Sequence, residues 1–143
     1  MTDQLVPGAL ADLVADRPWL LVLVVGAVAL VLRLLGRAGA PRARRGDVWF
    51  AMVPFRDGTG AKDRPVVVLS ARGRRCTVVR LTSQDQDGRD GYARSPGTLP
   101  GLDRRGWVDL RPMELRRTAL RRRTGDAGAA WLRWYEDAAR HLG

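Results

Sequence analysis

Between Pro18 and Leu32 the chain carries no charge, and Leu34 and Leu35 continue the apolar run past Arg33. A stretch of about 17 such residues is at the lower end of what crosses a bilayer as a helix. A helix apolar on every face offers no polar stripe to water, and a chain of 143 residues has little protein in which to bury it. Arg33 can snorkel to head groups at one end, and Trp19 suits the opposite interface. The downstream flank holds Arg33, Arg37, Arg42, Arg44 and Arg45, whereas the upstream flank is net acidic. Bases favour the cytoplasmic side. The expectation is a single-pass helix over residues 18–36. Residues 1–17 would then lie outside the cytoplasm, and the C-terminal part within it.

Two other readings of this segment compete with a membrane span. Ala38-Gly39-Ala40 resembles a signal-peptide cleavage site. The acidic start, Arg33 within the apolar run and Pro41 just beyond the site argue against it. A buried helix of a soluble domain is the other. Residues 37–45 (Arg-Ala-Gly-Ala-Pro-Arg-Ala-Arg-Arg) combine Gly, Pro and like charges, which disfavour packing and mark a linker whose bases can rest on anionic lipid. Residues 46–143 are left as one domain with a modest core.

The first forty residues hold three acids (Asp3, Asp12, Asp16) and three arginines (Arg17, Arg33, Arg37), so the whole formal charge of +10 lies beyond them. A basic domain concentrates anions such as nucleic acid or lipid head groups. Lys62 is the sole lysine, and a GC-rich coding bias would also yield so arginine-heavy a composition. Cys76 is the sole cysteine, which excludes an internal disulfide and fits a reducing compartment. It sits in an alternating apolar run and reads as a small core residue.

Residues 47–53 (Asp-Val-Trp-Phe-Ala-Met-Val) are β-prone and form a first strand. Residues 54–63 hold Pro, two Gly and mixed charges, a loop. Residues 65–70 (Pro-Val-Val-Val-Leu-Ser) form a second strand, with Pro65 at its start, where no ladder donor is needed. A basic turn around Gly73 leads to a third strand at 76–82. Residues 83–105 are a long polar stretch with a short strand near Tyr92. Residues 107–110 form another strand, ended by Pro112. Residues 114–123 read as a strand end followed by a helical turn. Thr124 and Asp126 suit helix caps, and 126–142 reads as a helix with Trp131, Trp134 or Tyr135, Ala138 and Leu142 on one side. Those aromatics read as core or dimer contacts. The order predicts an α+β domain: a small barrel capped by a terminal helix, not a doubly wound sheet.

Much chemistry is excluded. One cysteine and one near-terminal histidine, His141, cannot build a zinc site or a nucleophile–histidine set. Asp85, Asp87 and Asp90 lack calcium-loop spacing, and Pro96 stands where the bidentate Glu would be. Gly58-Thr59-Gly60-Ala61-Lys62 lacks the phosphate-loop spacing and a following helix. No metal or cofactor is expected. An enzyme made from this chain relies on Arg, Thr, Ser and carboxylates. In a hairpin, the start of strand two and the end of strand three lie side by side. Arg64 and Thr82 then share one rim of the sheet. Arginine presents a fork matched to phosphate oxygens, and a threonine hydroxyl can donate to a nonbridging oxygen. Together they can hold a phosphodiester as charge builds in a displacement.

Arg45-Gly46-Asp47-Val48-Trp49-Phe50, then Asp63-Arg64-Pro65-Val66-Val67-Val68-Leu69-Ser70, then Val78 to Thr82-Ser83 resemble the opening three strands of PemK/MazF toxins in order and spacing. The resemblance covers about residues 45–143 and is more specific in its first half. It implies an SH3-like barrel with a C-terminal helix, usually a homodimer. It also implies cleavage of single-stranded RNA without metal, by attack of the 2′-hydroxyl on the adjacent phosphorus to leave a cyclic phosphate. The family's active-site arginine and strand-three threonine map onto Arg64 and Thr82. RNA contacts would come from Arg56 and Lys62 on the first loop, and from Pro65, Arg80, Ser83 and Gln84 around the pair. An acidic antitoxin would cover the same groove. Residues 56–62 (Arg-Asp-Gly-Thr-Gly-Ala-Lys) depart from the family's Gly-Ser-Glu-Gln-like loop. Residues 107–120 match only loosely, and the apolar N-terminal helix is not a usual feature. Arginine, with a pKa above roughly 12, is a poor general base, so the acceptor of the 2′ proton is unassigned. A non-catalytic RNA-binding module and a protein-interaction domain at the membrane are the alternatives.

Overall fold

The computed structural model describes residues 17–142. The expected extracytoplasmic segment, apart from Arg17, lies outside them. Contacts divide the chain into two units, between Gly39 and Ala40.

The first unit holds helix α1 (Pro18–Ala38). Pro18 occupies its first turn, where a missing N–H costs no bond. Its 21 residues give a length of about 32 Å at 1.5 Å per residue. Over Pro18–Leu35 the mean hydropathy is 2.4, and none of that stretch is buried. By length and composition α1 is able to cross a membrane.

The second unit is a seven-stranded antiparallel sheet with one helix. Its strands are β1 (Asp47–Pro54), β2 (Ala61–Arg72), β3 (Arg75–Thr82), β4 (Tyr92–Arg94), β5 (Trp107–Asp109), β6 (Met113–Arg116) and β7 (Leu120–Asp126). A short 3-10 turn, Arg117–Ala119, joins β6 to β7, and α2 (Ala129–Arg140) follows. The pairing order is β4-β5-β3-β2-β1-β7, with β6 also on β3. Beyond β2, β3 thus has two partners in succession. Its first half lies on β6 and its last two residues on β5.

Alternation in β1, β2 and β3 gives the sheet two apolar faces, each with its own core. On one, Val48, Val67, Val79 and Leu81 pack with Val108, Leu110 and the α2 residues Trp131 and Tyr135. On the other, Trp49, Ala51, Val53, Val66, Val68, Cys76 and Val78 pack with Leu115 and Leu120. Helix α2 is fixed on the first face by polar tips as well as rings. Trp131 Nε1 donates to Ser95 Oγ at 3.1 Å, and the Tyr135 hydroxyl donates to the Leu110 carbonyl at 3.1 Å. Cys76 is a core residue. Burial pushes its thiol up, partly offset by the nearby Arg117 charge.

Several expectations are corrected. No pairing joins β4 to β7 among the described residues, so the barrel is not closed. The exposed run Arg121-Arg122-Arg123 makes β7 a charged edge that resists a further strand. Strand β2 begins at Ala61, not Pro65, because Pro54 pairs with Ala61 and Phe55 N–H donates to the Gly60 carbonyl at 2.8 Å, closing a hairpin. Lys62 and Arg64 are therefore strand residues. Pro65 sits inside β2 but beyond the reach of β3, whose pairing starts at Val66. Thr124 and Asp126 do not cap a helix. They belong to β7, where pairing with β1 overrides the local helix signal. The helix starts after Gly128, whose φ of 87° suits glycine and whose N–H donates to Asp126 Oδ1 at 2.6 Å. Leu142 is exposed beyond the end of α2.

Candidate nucleic-acid cleft

Strands β2 and β3 run together until the pair Val66 and Arg80. Two residues further out, β2 stays with β1, where Arg64 pairs with Ala51. There β3 turns to β5, where Thr82 pairs with Trp107. The sheet forks, and continuing the register places Arg64 and Thr82 opposite each other across the opening. By alternation Arg64 shares the face of Ala51 and Val66, and Thr82 that of Arg80. Two clefts adjoin at this fork. One, of about 250 Å³, is lined by residues including Arg56, Arg64, Arg80, Thr82, Gln84 and Asp109. The other, of about 370 Å³, is lined by residues including Lys62, Arg64, Pro65, Thr82, Ser83 and Gln84. All eight residues singled out from the sequence line one cleft or the other, and Arg64, Thr82 and Gln84 line both.

Arg64 is half-buried and enters no ion pair or side-chain hydrogen bond among the described residues. Its fork is available to an anion. Thr82 Oγ1 accepts the Gln84 backbone N–H at 3.2 Å, which leaves the hydroxyl proton to be donated elsewhere. The strand end is tightly packed: a Cβ added at Gly106 would lie 2.7 Å from the Thr82 carbonyl oxygen.

Sequence reasoning missed Asp109, the organiser of the first cleft. It is 2 % exposed. Its Oδ1 accepts Arg111 Nε at 2.9 Å, and its Oδ2 accepts Arg56 at 3.1 Å as well as Arg80. Burial alone would raise its carboxyl, but hydrogen bonds from Arg111 and Arg80 outweigh that and hold it below the ordinary carboxylate range. Arg80 is therefore a pinned cation, not a free one. The available signal was an acid between the apolar residues Val108 and Leu110 of a core strand. Also missed were Arg89, which donates to Gln86 Oε1 at 2.9 Å, and Tyr92, whose ring lies 5.5 Å from the Arg111 guanidinium. The first cleft sets Arg56, Arg64, Arg80 and Arg89 against one carboxylate, so its field is positive. No group of three or more His, Cys, Asp or Glu side chains is arranged to hold a metal among the described residues.

No protein-family model and no curated protein matches the sequence. Solved structures do share its fold. An endoribonuclease in complex with its cognate antitoxin, from mycobacterial species, aligns with a TM-score of 0.52 at 19% identity, over 71% of this chain and 94% of that one. A second endoribonuclease from mycobacterial species aligns at 0.51 and 17%, over 73% of this chain and 91% of that one. The Mycobacterium tuberculosis toxin MazF-mt6 aligns at 0.52 and 19%, over 67% and 94%. At these identities the likeness is one of fold: an antiparallel sheet with a C-terminal helix of the MazF kind.

Proposed function

We propose that the C-terminal domain is an endoribonuclease toxin of the MazF kind, cleaving single-stranded RNA without metal and tethered to a membrane by α1. The observation that carries this reading is Arg64, without an ion-pair partner among the described residues, facing Thr82 at the fork, where two clefts meet. RNA lies along the clefts, its backbone met by Arg56, Lys62, Ser83 and Gln84. The 2′-hydroxyl attacks the adjacent phosphorus as the bond from phosphorus to the 5′-oxygen breaks, leaving a 2′,3′-cyclic phosphate and a 5′-hydroxyl, with the 2′ proton passing through water to the departing 5′-oxygen. Arg64 binds the phosphoryl oxygens as negative charge builds, and the Thr82 hydroxyl donates to a nonbridging oxygen. Asp109 keeps Arg80 and Arg111 in place, so the field is built before RNA arrives. The fold is shared with an endoribonuclease solved with its cognate antitoxin. An acidic antitoxin segment suits this positive groove, and a homodimer is the assembly that the resemblance implies.

A second reading keeps the RNA and drops the cleavage. It is favoured by Asp109, the one carboxylate of the first cleft, which is committed to three arginines and so is a poor base. The full chain in detergent, incubated with a long single-stranded RNA and EDTA, separates the two. Cleavage that Arg64→Ala and Thr82→Ala reduce supports the nuclease. Salt-sensitive binding of intact RNA supports the second reading.

A further inference from the structure

Away from the fork, the hairpin tip between β2 and β3 carries a row of like charges. Arg72 pairs with Arg75 across the turn, and Arg75 pairs with Arg116 on β6. Like charges set directly opposite each other destabilise a sheet. One acid lies close by: Glu114, which Arg75 engages at 3.2 Å. Among the described residues Arg72, Arg74, Arg116 and the nearby-in-sequence Arg42 enter no ion pair. Arg72, Arg74 and Arg116 are exposed. An external anion would relieve this repulsion.

The chain path favours one kind of anion. Arg117 Nε donates to the Pro41 carbonyl at 3.0 Å, and its Nη1 donates to the Gly73 carbonyl at the hairpin turn at 2.9 Å. Pro41 is thereby tied to this tip, and only Gly39 and Ala40 separate it from Ala38, the last of α1. The RNA clefts lie elsewhere: Arg64 and Arg72 are eight residues apart on β2, about 26 Å at 3.3 Å per residue. By contrast, the linker base Arg45 is engaged by Glu136 and by the Leu69 carbonyl, so the linker alone does not supply the patch.

We propose that this arginine tip docks on anionic lipid head groups, so that the membrane meets one end of β2 and β3 while the clefts open at the other. The proposal rests on α1 being a membrane anchor. Each base near an anionic leaflet favours docking about fivefold at moderate salt, so three act together on the order of a hundredfold.

The test uses the full chain with Cys76→Ala, reconstituted in phosphatidylcholine vesicles with or without phosphatidylglycerol. A fluorophore is placed at Thr118→Cys, beside the tip, or at Asp87→Cys, on the loop after β3, and a quencher is carried on the lipid head groups. The expected result is strong quenching at position 118 only, only with phosphatidylglycerol, and reversed by salt. It is abolished by Arg72→Gln, Arg74→Gln and Arg116→Gln together, while the protein still floats with the vesicles. Flotation with no lipid-dependent quenching overturns the docking and leaves the anchor standing. So does an unchanged signal in the triple variant. A triple variant that keeps quenching but loses RNA affinity reassigns the tip to RNA. Release of the chain from vesicles by alkaline wash overturns the anchor, and the docking with it.

Discussion

Arg64 and Thr82 stand opposite each other where β2 and β3 part, one still paired to β1 and the other already paired to β5. The fork gives a cation and a hydroxyl from rigid strands one shared opening, and among the described residues Arg64 has no acid partner. Strand placement fixes the pair more tightly than loops would.

Asp109 should matter to the clefts and to the fold together. Its folded-state carboxyl lies below the ordinary value, so its contribution is present above the unfolded pKa of about 3.9 and is lost as pH falls through the lower folded value. Urea unfolding of the wild type should weaken as pH drops below about 4, and Asp109→Asn should flatten that dependence. Asp109→Ala should cost about 3 kcal/mol by leaving Arg80, only 20 % exposed, without its partner. An unchanged urea midpoint in Asp109→Ala would contradict this.

Gly106 is expected to be intolerant. A methyl group there would press on the Thr82 carbonyl at 2.7 Å. Gly106→Ala should displace the end of β3 and reduce RNA processing more than it reduces thermal stability. Loss of neither would show that the strand end yields freely.

Trp131 joins α2 to the sheet through its ring and its N–H. Trp131→Ala should destabilise by about 3–5 kcal/mol. Trp131→Phe, which keeps most of the ring but leaves Ser95 Oγ without its donor, should cost about 1 kcal/mol from the lost bond, plus a smaller packing loss. Chemical denaturation of the two variants measures the difference.

Helix α1 should keep the full chain in the membrane fraction through high salt and alkaline wash, because apolar area rather than charge holds it. Quantitative recovery of the chain in the soluble fraction would sink the anchor.

The strands with strong alternation were legible in the sequence. The cores of β1, β2 and β3 follow the apolar pattern of residues 47–53, 65–70 and 76–82 almost residue for residue. Arg64 and Thr82 were legible as neighbours on one rim because the turn at Gly73 sets the hairpin, but the register shift between Val68 and Ser70, which brings Thr82 rather than Ser83 opposite Arg64, has no local signal in the sequence. Strand β7 was not, because Arg121-Arg122-Arg123 carries no period and its place depends on β1, some 70 positions earlier in the chain. Asp109 escaped for the same reason: its partners Arg56 and Arg80 come from distant strands and loops, and nothing local marks their convergence.

The most direct test of the account is RNA cleavage by the full chain in detergent with EDTA, beside Arg64→Ala and Thr82→Ala variants of unchanged fold. The account expects the wild type to cut and each substitution to lower the rate on the order of a hundredfold or more. Binding of RNA without cleavage by the folded wild type, or cleavage indifferent to both substitutions, would contradict it.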